Sequence, residues 1–175
     1  MFNLKNVGDK GYSRRLCKNG VFEVDLIKGL ERFLVTETKM DYTLSFCLDQ
    51  DGKLNGKDFG TAVEELFDYC QNEGYYPPLG TEMNCNSMEV TGKGLTSIKK
   101  AGLIEKMMGI HPNASMENNP KQYEKGGDLS VMSVDEFVPL LHQYISEFNL
   151  GMGGICCGGT PEHMDKLHQQ IHRKK

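Results

Sequence analysis

From residue 40 onward, short β-rich runs alternate with stretches of helical periodicity, and this alternation restricts the fold more than any other feature of the chain. Tyr42-Thr43-Leu44-Ser45-Phe46-Cys47 is rich in β-formers. After a polar turn at 49–57, the stretch 58–72 places Phe59, Val63, Leu66, Phe67 and Cys70 at helical spacing. That pair is one β-loop-α unit. A second begins at Gly80-Thr81-Glu82-Met83-Asn84-Cys85, with a helix near 93–103. A third begins at Met107-Met108-Gly109-Ile110-His111, followed by a polar loop and a helix at 133–148. The fourth runs from Leu150 through Ile155 and leads to a helix opening at Thr160-Pro161-Glu162, where Thr serves as N-cap and Pro fits the first helical position. Ahead of these units, residues 22–38 (Phe22, Leu26, Ile27, Leu30, Phe33, Leu34) read as an amphipathic helix. Residues 1–24 read as a polar N-terminal arm before a domain spanning 25–175.

Strands alternating with helices predict an α/β fold of parallel βαβ units with right-handed crossovers. Four such units make a small open sheet or part of a (β/α)8 barrel. In a barrel the site lies at the C-terminal ends of the strands. Cys85 and the pair Cys156-Cys157 both fall at such ends. The pair sits in Gly153-Gly154-Ile155-Cys156-Cys157-Gly158-Gly159-Thr160-Pro161, where an apolar run breaks into a Gly-rich turn. Neighbouring side chains on an extended strand point to opposite faces, so both thiols converge on one ligand only if the chain turns there, and glycine permits the turn.

Composition narrows the setting of these thiols. The 175 residues, 38% hydrophobic and 25% charged, suit one domain. Six cysteines (17, 47, 70, 85, 156 and 157) lack the regular spacing of a small secreted scaffold, and Met1-Phe2-Asn3-Leu4-Lys5 lacks the apolar core of a signal peptide. Reduced thiols and a cytoplasmic location are expected. No apolar run approaches the roughly 18 to 20 residues that cross a bilayer. A net charge of −4 with dispersed basic residues argues against nucleic acid as the partner. A metal or small-molecule ligand is the expected partner.

Duller readings compete with each candidate. Vicinal cysteines are often small buried residues or, less often, a strained disulfide. Cys17 and Cys47 carry no specific expectation, and Cys70, on an apolar helical face, reads as core. None of His111, His142, His163, His168 and His172 is assigned to a metal. The acidic loop Asp49–Phe59 imitates a calcium-binding EF-hand, but its frame, 47–58, puts Cys47 at the first ligand position and a strand where a helix belongs.

Four motifs in order resemble the zinc-dependent homocysteine S-methyltransferase family, of the methionine synthase and betaine–homocysteine methyltransferase type. Ser45-Phe46-Cys47 with Asp51-Gly52-Lys53-Leu54 and Gly56 is similar to the family's "SFS…DGxLxxG", and Met83-Asn84-Cys85 to its "xNC" strand. His111-Pro112-Asn113-Ala114 resembles "xPNAG", and Cys156-Cys157-Gly158-Gly159-Thr160-Pro161-Glu162-His163 resembles "GGCCGTTPEH", with Ile155 where the family usually has Gly. The resemblance covers roughly residues 25–172 and implies the C-terminal half of a TIM-type (β/α)8 barrel. It also implies Zn²⁺ held by Cys85, Cys156 and Cys157, and methyl transfer from a donor to the thiolate of homocysteine to give methionine. Asn113 then either hydrogen-bonds substrate at the mouth or only shapes the turn after Pro112. The family's opening "DGxMGT" strand has no counterpart in residues 1–24. A half barrel, with an apolar inner face in need of cover, is expected to self-associate or to pair with a complementary N-terminal half-barrel. The alternative is a truncated or split member that binds zinc and a partner without catalysis of its own.

Overall fold

The structure is a computed structural model that describes residues 41–116 and 130–172, together with the backbone of 14–17. In chain order the elements are β1 (Arg14–Cys17), β2 (Tyr42–Phe46), β3 (Lys53–Leu54), β4 (Lys57–Asp58), α1 (Phe59–Glu73), β5 (Gly80–Asn84), α2 (Met88–Lys100), β6 (Met107–His111), α3 (Val134–Glu147), β7 (Met152–Gly153) and α4 (Pro161–His172). The expected amphipathic helix at 22–38 lies outside the described residues.

Five strands form one sheet in the order β1-β2-β5-β6-β7, and every pairing is parallel. Each strand lies beside the next one in the chain, with a helix between consecutive strands from β2 onward. That is the winding of a barrel wall rather than of a sheet that reverses direction at its middle. The fold is therefore α/β and matches part of a (β/α)8 barrel.

One strand corrects the sequence reading. The stretch read as a polar arm contains β1, whose residues pair with β2 from Arg14 opposite Tyr42 to Cys17 opposite Ser45. Arg-Arg-Leu-Cys carries no period-2 alternation, so nothing local announces a strand. The pairing instead satisfies backbone groups along an edge of β2 that would otherwise stay open.

The two faces of the sheet differ in chemistry. On one, Phe46 meets Phe59 of α1 edge-on at 5.7 Å between ring centroids, and Met83 lies so close to α2 that a Cβ on Gly94 would fall 2.4 Å from its sulfur. Leu95, Ile98, Phe137, Val138 and Leu141 complete the helical side of a core whose members are all fully buried. The opposite face is polar. Thr43 Oγ1 donates to Glu82 Oε1 at 3.2 Å, Ser45 Oγ donates to Asn84 Oδ1 at 2.9 Å, and Glu82 lies 3.3 Å from His111 Nε2. These residues are buried and alternate along their strands. The face away from the helices, the inner one in a barrel, is thus a polar hydrogen-bonded row across β2, β5 and β6, not the apolar surface expected. Paired partners let polar groups be buried without the full desolvation cost.

The acidic loop folds onto itself. Strand β2 precedes it, Asp49 Oδ1 accepts from the backbone N–H groups of Asp51 and Lys53 at 3.0 and 2.9 Å, and β3 and β4 close a small hairpin. This is turn chemistry ahead of α1, without the leading helix of an EF-hand. No helix among the described residues is long and apolar enough to cross a membrane.

Candidate metal centre

Three strand ends converge at the C-terminal edge of the sheet. Cys85 follows β5 directly, Cys156 and Cys157 follow β7, and their sulfurs lie within 4.8 Å of one another. Cys85 Sγ is 2.6 Å from Cys156 Sγ, and Cys156 Sγ is 3.9 Å from Cys157 Sγ. All three are free thiols. Among the described residues they are the group of His, Cys, Asp and Glu side chains arranged to hold a metal ion.

The local backbone explains how one turn aims adjacent thiols together. Cys156 N–H donates to Pro112 O at 2.8 Å, and Cys157 O accepts from Ala114 N–H at 2.9 Å, so the pair is laced onto the segment after β6. Gly158 follows with φ +78°, a left-handed turn that suits glycine. Gly154 is required for space, since a Cβ there would fall 2.2 Å from His111 Nδ1. Cys85 itself has φ +56°, uncommon for a residue with a side chain. Its conformation is held from both ends: its N–H donates to His111 O at 3.1 Å, and its carbonyl accepts from Asn113 Nδ2 at 3.1 Å.

Asn113 is fully buried and joins the two halves of the cluster. While Nδ2 donates to Cys85 O, Oδ1 accepts from Cys157 N–H at 3.2 Å. One amide thus spans the two chain segments that carry the thiols. Sequence reasoning placed this residue at the mouth but had no signal for the bridge, which links positions far apart in the chain.

Crowding sets the charge of the thiols. The hydrogen bond from Cys156 favours the Cys85 thiolate, yet contact with Cys47, burial, and the charges of Cys47 and Cys157 outweigh it and push Cys85 from 9.0 up to about 12. Cys156 is raised too, first because it donates to Cys85 and next because it is buried. Without a cation the cluster stays protonated near neutral pH. The donor set fits Zn²⁺: three soft thiol donors leave one tetrahedral position open, the pattern of a catalytic site.

A stability prediction follows from these shifts. A thiol with a folded-state pKa above its unfolded value favours the fold while protonated, and that contribution is lost as pH rises through the folded pKa. The reduced, metal-free chain is expected to lose stability between pH 9.0 and about 12. Urea titrations on both sides of pH 9.0 check this: the midpoint should drop on the alkaline side, and drop less in Cys85→Ser. An equal drop in both proteins would refute the assignment.

The remaining candidates have other surroundings. Cys70 is fully buried on α1, and His163 is buried with Nδ1 2.8 Å from Thr160 Oγ1 and its ring edge-on to Phe137. His168 and His172 stack on each other along α4. Cys47, one residue past β2, donates from Sγ to Asn84 O at 3.1 Å, beside Cys85.

A barrel-type arc of parallel strands with three thiols at its C-terminal mouth defines a class of protein: a thiolate metal centre built on a (β/α) scaffold. The family model described as homocysteine S-methyltransferase matches residues 20–171, and the chain belongs to that family. Among solved structures it is similar to the homocysteine methyltransferase MmuM from Escherichia coli in its oxidized form, with a TM-score of 0.53 and 20% sequence identity over 82% of this chain and 41% of that one. At that identity the likeness is one of fold, and the chain spans less than half of MmuM. None of the curated proteins matches the chain.

Proposed function

We propose that this chain carries the thiol-binding half of a homocysteine S-methyltransferase, with Zn²⁺ held by Cys85, Cys156 and Cys157 and homocysteine as the methyl acceptor. The observation that carries this reading is the convergence of three sulfurs within 4.8 Å at the mouth of a sheet belonging to that family. When bound, Zn²⁺ supplies the positive charge that lets a small thiol shed its proton near neutral pH and remain nucleophilic.

The chain's own residues prepare the place. Asn113 locks the Cys85 and Cys157 segments in register, so it acts on substrate through the cysteines and serves as a positioning residue. Asn84 Nδ2 donates toward Cys85 Sγ at 3.4 Å, a contact that favours the deprotonated sulfur. The crowded thiols leave one approach for an incoming sulfur, whose lone pair forms the new S–CH₃ bond as the donor's bond to that methyl breaks, the donor keeping the electron pair. Groups beyond the described strands complete the pocket for the amino-acid end of the substrate and for the methyl donor.

Calorimetry of the zinc-loaded chain with L-homocysteine and, as control, L-homoserine tests the reading. Heat and proton release are expected with the thiol and not with the alcohol, because only the thiol has a proton that such a site removes. The same signal from both compounds, or from neither, would overturn it.

A further inference from the structure

We infer that Cys47 is a fourth thiol donor to this metal site, closing it in the absence of substrate and yielding its place to an incoming thiol. The inference rests on the reading of Cys85, Cys156 and Cys157 as metal ligands and adds a residue that neither motif spacing nor the three-sulfur cluster includes. Its basis is position. Phe46 pairs with Met83, so Cys47, the next residue, stands beside Asn84, the residue before Cys85. Its thiol donates to Asn84 O at 3.1 Å and also touches the Cys85 thiol. Cys47 is half-buried at the mouth, unlike Cys70, which is sealed in the core of α1.

The chemistry of the vacant coordination position selects the same residue. Three thiolates leave one tetrahedral site, and Zn²⁺ prefers a fourth sulfur or nitrogen to water when one is within reach. His111 is turned to the buried Glu82 carboxylate and His163 to Thr160, whereas the Cys47 thiol already adjoins a ligand. Cys47 stands outside the cluster of three because its thiol points at the Asn84 carbonyl. A thiol is a weak hydrogen-bond donor, so a change of χ1 rotamer gives up little. Where the family's motif reads "SFS", the last serine would supply only a hydroxyl. The thiol in this chain converts an open three-sulfur site into one that a substrate thiol enters by exchange.

Two measurements on the full, reduced chain decide the matter. In the first, N-ethylmaleimide labelling read by peptide mass spectrometry compares the metal-free chain with the chain carrying one equivalent of Zn²⁺. Metal should slow labelling of Cys47 at least about tenfold, together with Cys85, Cys156 and Cys157. In the second, Co²⁺ replaces Zn²⁺, and Cys47→Ser should lose about a quarter of the thiolate-to-metal charge-transfer absorption, one ligand of four. Added homocysteine should restore that absorption in the variant and leave the unmodified chain's intensity unchanged. If Cys85, Cys156 and Cys157 are protected while Cys47 labels equally fast with and without metal, the fourth-donor assignment is overturned and the three-cysteine site stands. If none of the four is protected, the metal reading and this inference fall together. The labelling arm needs no variant, so a folding defect in Cys47→Ser leaves the test intact.

Discussion

Replacing Cys156 by serine is expected to abolish stoichiometric zinc binding by the reduced chain, while Cys70→Ala leaves it at about one ion per chain. A structural zinc site draws on the order of 10–16 kcal/mol from four ligands, so losing one thiolate weakens binding by at least about a hundredfold. Cys156 is central to the cluster, with Cys85 2.6 Å away on one side and Cys157 3.9 Å away on the other. Cys70 is equally a cysteine but lies fully buried on α1. Asn113→Ala should fall between the two, weakening zinc by about 10–100-fold as loss of an outer-shell partner does, because Cys85 O and Cys157 N–H lose their common tie. Metal analysis after gel filtration, with competition against a chromophoric chelator for the affinities, reads all three. Full zinc retention in Cys156→Ser, or its loss in Cys70→Ala, would place the ion elsewhere.

Homocysteine methylation by the chain alone should sit near background with S-methylmethionine, betaine or methylcobalamin as donor, and rise at least about a hundredfold when a complementary N-terminal half-barrel is supplied. The described sheet has two edges, β1 and β7, that a closed barrel would pair with further strands. Of these, β7 is only two residues long, and Met152 on it is exposed. An open edge presents unpaired backbone groups and invites another chain. MmuM is more than twice as long as the matched region, since this chain covers 41% of it. Sedimentation should therefore show a dimer or larger species for the chain by itself. A monomer that methylates homocysteine at roughly one turnover per second would refute the half-barrel account. Zinc retained with no turnover even after complementation would instead select the non-catalytic, zinc-binding alternative. The reason to expect cover has shifted from the inner face to the edges, because Thr43, Ser45, Glu82 and Asn84 make that face polar and already paired.

Local periodicity determined much of this protein. The β-rich run at 42–47, the helical spacing of Phe59, Val63, Leu66 and Cys70, and the bounds of β6 were readable because each depends on which side of a short segment is buried. The sequence also placed Cys85 and the Cys156-Cys157 pair at strand ends, and parallel winding then brings such ends to one mouth. Tertiary structure alone decided the rest. Strand β1 exists through its pairing with β2, not through any pattern in Arg14-Arg15-Leu16-Cys17. The left-handed backbone of Cys85 and the approach of its sulfur to Cys156, 71 residues away, depend on hydrogen bonds from His111 and Asn113 that no local pattern encodes. Cys47 read as an unremarkable residue after a strand, and only the register of β2 on β5 set it beside the thiol cluster. Periodicity records whether a side chain faces the core; which distant group it meets there is fixed by strand register and packing.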